Sequence, residues 1–296
     1  VYKTNTIDLI LDQQIPSVTG FSEIVSNIGE TKNHGVEVIL NYKVLDGNFK
    51  WSVTANWAFD RNQIVHLSGA LDEEGNEVDD LANEWFIGQN INEIYDWDFI
   101  GIWQLDEDSI AGITHPDKRN YGAGDPKIRD IDGDTIITFE DWTFLGNPTP
   151  DWYGGLRNTF SYKGLELTVL FDAVQGVTRI NYFYGNLNAR DNQVKVDYWT
   201  PDNPSNEFPE PNIRSGYDYE DAVRVRDASF VALRNVSLTY TLPQKLVQKV
   251  KMSGMQVYIR GNNLKYWTDF VGYSPETDLG RFPVTKNWTL GTNITF

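Results

Sequence analysis

Apolar and polar side chains alternate residue by residue along much of this chain, in blocks of about ten. The clearest block sets Phe49, Trp51, Val53, Ala55, Trp57 and Phe59 on one parity and Lys50, Ser52, Thr54, Asn56 and Asp60 on the other. A period of two is the signature of a strand with one apolar and one polar face. The same alternation marks Tyr2 to Asp12 and Val36 to Tyr42. It returns from Trp152 to Tyr162, from Leu165 to Ala173 and from Val236 to Tyr240. Two more blocks follow, Met255 to Ile259 and Trp288 to Phe296, so eight strands are predicted. Val231 and Leu233 carry the opposite parity to Val236 and Leu238, which predicts a bulge near Arg234-Asn235. Pro243 to Lys249 predicts a short helical turn, with Pro at an early position.

The connections sort by length. Those at 44–48, 162–164 and 241–253 are short; those at 13–32, 62–151, 176–227 and 265–286 are long. Strict alternation of short and long puts all the long ones at one end of an antiparallel sheet. Outer-membrane barrels have this asymmetry, with short periplasmic turns, long extracellular loops and aromatic girdles at both interfaces. Strands of about 9–11 residues suffice to cross a bilayer at a tilt. The expectation is therefore an all-β fold, a segment of a transmembrane antiparallel β-barrel spanning 1–296, with Phe296 on the periplasmic side. Two long extracellular loops, 62–151 and 176–227, interrupt it. Within the first, Glu84–Ile91 and Tyr95–Gln104 read as local strands.

Composition narrows the function. The 296 residues carry 25 basic and 42 acidic side chains, a net charge of −17, which argues against nucleic acid as a partner. There is no cysteine, hence neither a disulfide frame nor a thiolate metal site. No apolar run is long enough for a membrane helix. Val1 opens inside a predicted strand without a signal-type leader, which suggests the C-terminal portion of a longer protein.

Candidate chemistry is concentrated in the first long loop. Asp130-Ile-Asp-Gly-Asp-Thr-Ile-Ile-Thr-Phe-Glu-Asp141 has the spacing of a twelve-residue calcium loop, with oxygens expected from Asp130, Asp132, Asp134, the Ile136 carbonyl, Thr138 and Asp141. Ile137 would pack inward. Thr135 stands where such loops carry Gly, and Asp141 where they carry Glu. The expected cofactor is a structural Ca²⁺ that rigidifies an external loop. Candidate ligand contacts are the loop aromatics Trp85, Trp97, Trp103, Tyr182, Tyr184 and Trp199, with Tyr258 and Arg260 on the wall's polar face; packing of the loop rings against one another is the competing role for each. His34, His66 and His115 are isolated and no catalytic motif is present, so no enzyme activity is expected.

Several motifs together resemble the C-terminal third of a SusC/RagA-type TonB-linked outer-membrane transporter of Bacteroidetes. They are Asn27-Ile-Gly-Glu30 with His34-Gly-Val-Glu37, Phe99 to Gln104, Gly124 to Asp130 leading to Leu145 to Pro150, Leu233 to Pro243, and Val257 to Leu264. The terminal strand ending in Phe296 is also similar to the last strand of bacterial outer-membrane barrels. The resemblance implies about the last eight strands of a barrel of about 22 strands, with a plug and TonB box outside this sequence. It implies TonB-dependent import of oligosaccharides or peptides, a SusD-like surface lipoprotein partner, and contact with membrane lipid and lipopolysaccharide. A secreted calcium-binding β-domain that recognises carbohydrate is the alternative. It would bury Trp51, Trp57, Leu290 and Phe296 together in one interior.

Overall fold

A computed structural model describes the chain except for residues 15–19, 21–22, 68, 108–112, 114–120, 186–193, 211–218 and 278–280, and the side chains of 11–14, 23 and 220. Its frame is one antiparallel sheet of eight strands that pair in chain order. These are β1 (Tyr2–Gln14), β2 (Glu23–Asp46), β3 (Phe49–His66), β8 (Trp152–Tyr162), β9 (Leu165–Gln175), β12 (Phe230–Thr241), β13 (Gly254–Trp267) and β14 (Asn287–Thr295). Six short strands lie in the connections: β4 (Ile94–Trp97), β5 (Phe99–Ile102), β6 (Pro126–Ile128), β7 (Trp142–Gly146), β10 (Thr178–Ile180) and β11 (Val225–Asp227). They pair as β4–β7, β5–β6 and β10–β11. The described residues also include two small α-helices, α1 (Glu220–Arg224) and α2 (Gln244–Val247), and short 3₁₀ turns. The large sheet does not close on itself within this chain.

The apolar parity faces outward. Val38, Leu40, Trp57, Leu156, Leu238, Ile259, Leu290 and Phe296 are all exposed, Leu290 at 78% and Phe296 at 87%. Pairing joins them into continuous rows, such as Val38–Trp57–Gly154 and Leu167–Leu238–Ile259–Leu290. Aromatic rings pack along both margins, Trp51 on Phe160 at 5.7 Å and Trp57 on Phe59 at 5.5 Å between centroids. The four residues that a water-soluble domain would have buried together are instead spread along this surface, Trp57, Leu290 and Phe296 exposed and Trp51 half-buried, so they do not form the shared interior the secreted-domain alternative needs.

The bulge falls where the parity break places it. Register shifts between Leu233 and Asn235 against both neighbours. The extra residue restores Leu233 and Val231 to the outward face, opposite Phe171 and Ala173. Between β8 and β9 the turn is Lys163-Gly164, both at positive φ (47° and 85°), the backbone a two-residue type I′ hairpin demands. The helical turn expected after Pro243 is α2.

Three expectations change. The connection expected at 13–32 is mostly strand, because β1 continues to Gln14 and β2 begins at Glu23. Beyond a membrane both sheet faces are wet, so the polar run Asn27–Asn33 pairs without an apolar parity to announce it. For the same reason β1 is not aligned with the wall: it pairs Tyr2 with Gly35 and Gln14 with Glu23, the half of β2 on the long-loop side. Glu84–Ile91 is not a strand. Asp80 and Asn83 close a turn there, and Ile87 N–H donates to the Asp79 carboxylate at 2.7 Å. Side-chain acceptors of this kind compete with a ladder.

Candidate functional site

The tight hydrophobic clusters lie not against the wall but in the long loops at one rim. Trp103, Tyr121, Ile128, Ile137, Tyr219 and Ala222 form one cluster, flanked by Trp97 and Phe99. Tyr184, Phe208 and Val223 form a second, and Phe99 touches both. Strands β4–β7 come from the 62–151 connection and β10–β11 from 176–227, so the two long loops share a core and make one roof. Bilayer-facing side chains need no such core, whereas loops in water hold a fixed shape only by burying apolar area.

This core accounts for most of the aromatics named as ligand candidates. Trp103, Tyr184 and Trp199 are buried, at 2%, 6% and 3% exposure. Trp199 Nε1 donates to the Gln104 side chain at 2.9 Å. Trp97 stacks edge-on against Tyr219 and Trp142 and donates from Nε1 to the Thr138 carbonyl at 2.6 Å. Trp85 is half-buried and its backbone bridges to Asp80. Tyr182 is the exception. It is 47% exposed and borders an open cavity of about 420 Å³ with Asn92, Ile94, Pro148, Thr178 and Ile180. Tyr258 and Arg260 sit apart, on the inward face of β13, with the guanidinium 5.5 Å from the ring centroid. Tyr258 lies over Gly291, where a Cβ would come within 2.5 Å of its ring, so a small residue is required opposite it.

Of the six calcium-loop residues, three converge. Carboxylate oxygens of Asp130, Asp132 and Asp134 lie within 4.8 Å of one another. The turn is tied by its own backbone: Asp130 accepts from Gly133 and Thr135 N–H, Asp132 from Asp134 N–H and Asp134 from Ile136 N–H, at 2.6–3.1 Å. Thr135 takes φ +70°, the conformation that favours Gly at this point. Ile137 is buried at 1% in the loop core. Asp141 is placed differently from its expected ligand role. It is fully buried and stands outside the three-carboxylate group, its oxygens accepting from Ile131 N–H at 2.7 Å and Thr138 N–H at 2.8 Å. Together with the Thr138 hydroxyl it makes a capping box for the following turn.

Sequence reasoning located the bulge but not what it holds. Arg234 projects inward there and donates to Asp172 at 2.8 Å, the Tyr266 hydroxyl at 2.6 Å and Glu276. Glu276 belongs to the last long loop, 268–286, so this ion-pair network fastens that loop to the inner wall. Asn181 adds a second tie, donating to the Val271 carbonyl at 2.7 Å. The acidic run 72–84 is likewise ordered. Glu77 accepts from Leu67 and Gly69 N–H and sits 2.5 Å from His66 Nδ1. Burial raises the Glu77 carboxyl, but those three donors outweigh it and hold it below the usual range. Asp96, near Asp221 and Glu84, is pushed up to about 6, chiefly by burial, with their charges adding to it. His34 lies on β2; His115 lies outside the described residues.

No protein-family profile matches the chain. Curated relatives cover it completely. TonB-dependent receptor P26 of Formosa agariphila is 31% identical over 329 aligned residues, and the chain covers 32% of it. TonB-dependent receptor P3 of the same organism is 27% identical, again with 32% covered. TonB-dependent receptor SusC of Bacteroides thetaiotaomicron is 23% identical, with 29% covered. Among solved structures, that of the RagAB peptide transporter superposes with a TM-score of 0.74 at 25% identity, over 99% of this chain and 32% of the other. The RagAB peptide importer in its open-open state gives 0.70 at 25% identity, with the same coverage. The chain thus spans about a third of the length of the proteins it matches. Its resemblance to SusC/RagA-type transporters holds along its full length, and the matched proteins are receptors and transporters rather than enzymes.

Proposed function

We propose that this chain is the C-terminal barrel segment of an outer-membrane importer, energised through TonB, that takes up oligosaccharides or peptides with a SusD-like surface lipoprotein over its mouth. The observation that carries the reading is the polarity of the sheet. Its apolar parity forms exposed rows across neighbouring strands on one face, such as Leu167–Leu238–Ile259–Leu290, with the polar parity on the other, and the connections 67–151, 176–229 and 268–286 leave from one rim. Such a sheet separates hydrocarbon from a wet lumen. The relatives named as TonB-dependent receptors support the energy source, and the likeness to a peptide transporter supports the cargo class. In this reading the short turns and Phe296 lie on the periplasmic side, while the roof of long loops and the Tyr182 cavity meet cargo or the lid.

We further propose that Asp130, Asp132 and Asp134 hold a Ca²⁺ with the Ile136 carbonyl and Thr138, stiffening the roof. Each carboxylate offers more lone pairs than its backbone donors use, and three carboxylates within 4.8 Å of one another favour a hard cation.

The experiment is uptake by intact cells of fluorescent oligosaccharide and peptide pools, before and after deletion of the gene. Loss of one uptake on deletion or on dissipating the proton-motive force is expected, with rescue by the full-length gene. Unchanged uptake of both, or a full-length protein that stays monodisperse without detergent, would sink the proposal. Calcium titration of the full-length receptor, with Asp132→Asn alongside, tests the metal; equal calorimetric traces for the two remove it.

A further inference from the structure

The open cavity beside Tyr182 has a lining out of keeping with a chain of net charge −17. No carboxylate is among the described residues that border it. One guanidinium is, that of Arg179, set beside the apolar edge of Ile94, Pro148 and Ile180. Asp221 and Asp96 act electrostatically on Tyr182, yet neither lines the space. Asp221 accepts from Arg224 at 3.0 Å, and Asp96 accepts from the Trp97 N–H at 2.7 Å. A guanidinium bordered by apolar surface suits an anion with an apolar neighbour, since its planar fork matches a carboxylate.

Arg179 also faces a second way. It borders a narrow cleft of about 30 Å³ with Phe183, Tyr273, Ser274 and Thr277, so it stands between the cavity and residues 268–277 of the last long loop. Glu276 lies in that stretch, and Arg179 is already engaged, its charge acting on Glu276. Burial raises the Glu276 carboxyl, but hydrogen bonds from Arg234 and Tyr266 outweigh it, with the charges of Arg234 and Arg179 adding, and hold it below the usual range. One loop carboxylate thus sits in the field of two guanidiniums, Arg234 on the inner wall and Arg179 at the cavity. Elsewhere the stretch is lightly held. Tyr273 is 70% exposed and touches Phe183 edge-on at 5.1 Å, and Val271 is 46% exposed with its carbonyl on Asn181.

We propose that the cavity receives cargo through a carboxylate, which Arg179 binds in competition with Glu276. Glu276 is then a built-in stand-in for that group, carried on a stretch that water can take back. A cargo carboxylate on Arg179 weakens the hold on Glu276 and loosens residues 268–277, while Arg234 keeps Asp172 as a partner at 2.8 Å. The free C-terminus of a peptide and the uronic acid of an oligosaccharide both carry the required group. The inference rests on the importer reading above, because that reading makes this cavity a meeting point with cargo.

The test uses the full-length receptor in detergent with dansyl-pentaalanine, as the free acid and as the C-terminal amide, read by fluorescence anisotropy. Trigalacturonate and its methyl ester serve as competitors. The acid is expected to bind at least about tenfold tighter than the amide, the scale of one charge-assisted pair. Arg179→Gln should abolish that ratio with amide binding unchanged, and Arg179→Lys should keep part of it. Glu276→Gln should tighten the acid about threefold, the scale of one partly exposed ion pair, and speed hydrogen exchange at 268–277. Lys245→Gln, the same charge change at the short-turn rim, should leave the ratio as it is. Displacement of the acid by trigalacturonate but not by its ester supports a site for sugar acids as well; no displacement by either supports one confined to peptide ends. Equal binding of acid and amide, binding of neither, or an unchanged ratio in Arg179→Gln overturns the proposal. Uptake that still needs the gene and the proton-motive force would then leave the importer reading standing; uptake that needs neither would remove both.

Discussion

Leu290→Arg separates a membrane wall from a soluble sheet by opposite expectations. Leu290 is 78% exposed and pairs with Ile259, itself 43% exposed, so on a water-soluble surface the change would shift stability by no more than about 0.5 kcal/mol. In the nine-residue β14 it is one residue from the midpoint Gly291, about 3 Å along the strand. At that depth an outward Arg in a barrel costs about 2–4 kcal/mol. The control is Asn293→Arg on the inward parity, opposite Gln256, where a wet lumen makes the charge nearly neutral. The assay is guanidinium unfolding of the full-length receptor in lipid vesicles, followed by tryptophan fluorescence. Leu290→Arg should lower stability by at least about 2 kcal/mol relative to Asn293→Arg. Equal midpoints for the two would refute the claim that this face meets hydrocarbon.

Two other predictions concern the roof. Asp96 has its carboxyl raised from 3.8 to about 6, so the roof is firmest below pH 4 and loosens as pH rises toward 6 and beyond. That gap corresponds to about 3 kcal/mol, reduced by partial exposure to about 1–2 kcal/mol; Asp96→Asn should therefore protect the loop amides from hydrogen exchange at pH 7.5 and flatten the pH dependence between 4 and 6. A steeper dependence in the variant would contradict the buried-charge account. Gly124 sits at φ +94° with the Trp199 ring 2.6 Å from where a Cβ would be. Gly124→Ala should cost the roof about 2 kcal/mol or more through strain and overlap. Limited proteolysis should then cut the 62–151 and 176–227 loops faster while the barrel's heat-modified migration stays the same.

What the sequence determined by itself was everything governed by neighbours two residues apart. Alternation from Phe49 to Phe59 and from Trp288 to Phe296 names the strands and their outward side, because a strand's parity is local and a bilayer enforces it strictly. The parity conflict between Leu233 and Val236 located the bulge before any pairing was known. Where both faces of a ribbon are wet, that signal vanishes, so the extension of β1 and β2 to Gln14 and Glu23 emerged only from their register. The roof was equally silent. That Trp103 and Trp199 pack inside it while Tyr182 looks into a cavity depends on contacts between segments a hundred residues apart. Twelve-residue spacing brought Asp130, Asp132 and Asp134 together, as local turns do, yet tertiary burial turned Asp141 toward the backbone of Ile131 and Thr138. Arg234 shows the division within one residue: its bulge was written in the parity of its neighbours, and its union with Asp172, Tyr266 and Glu276 only in the way the wall brings three strands and a loop to the same point.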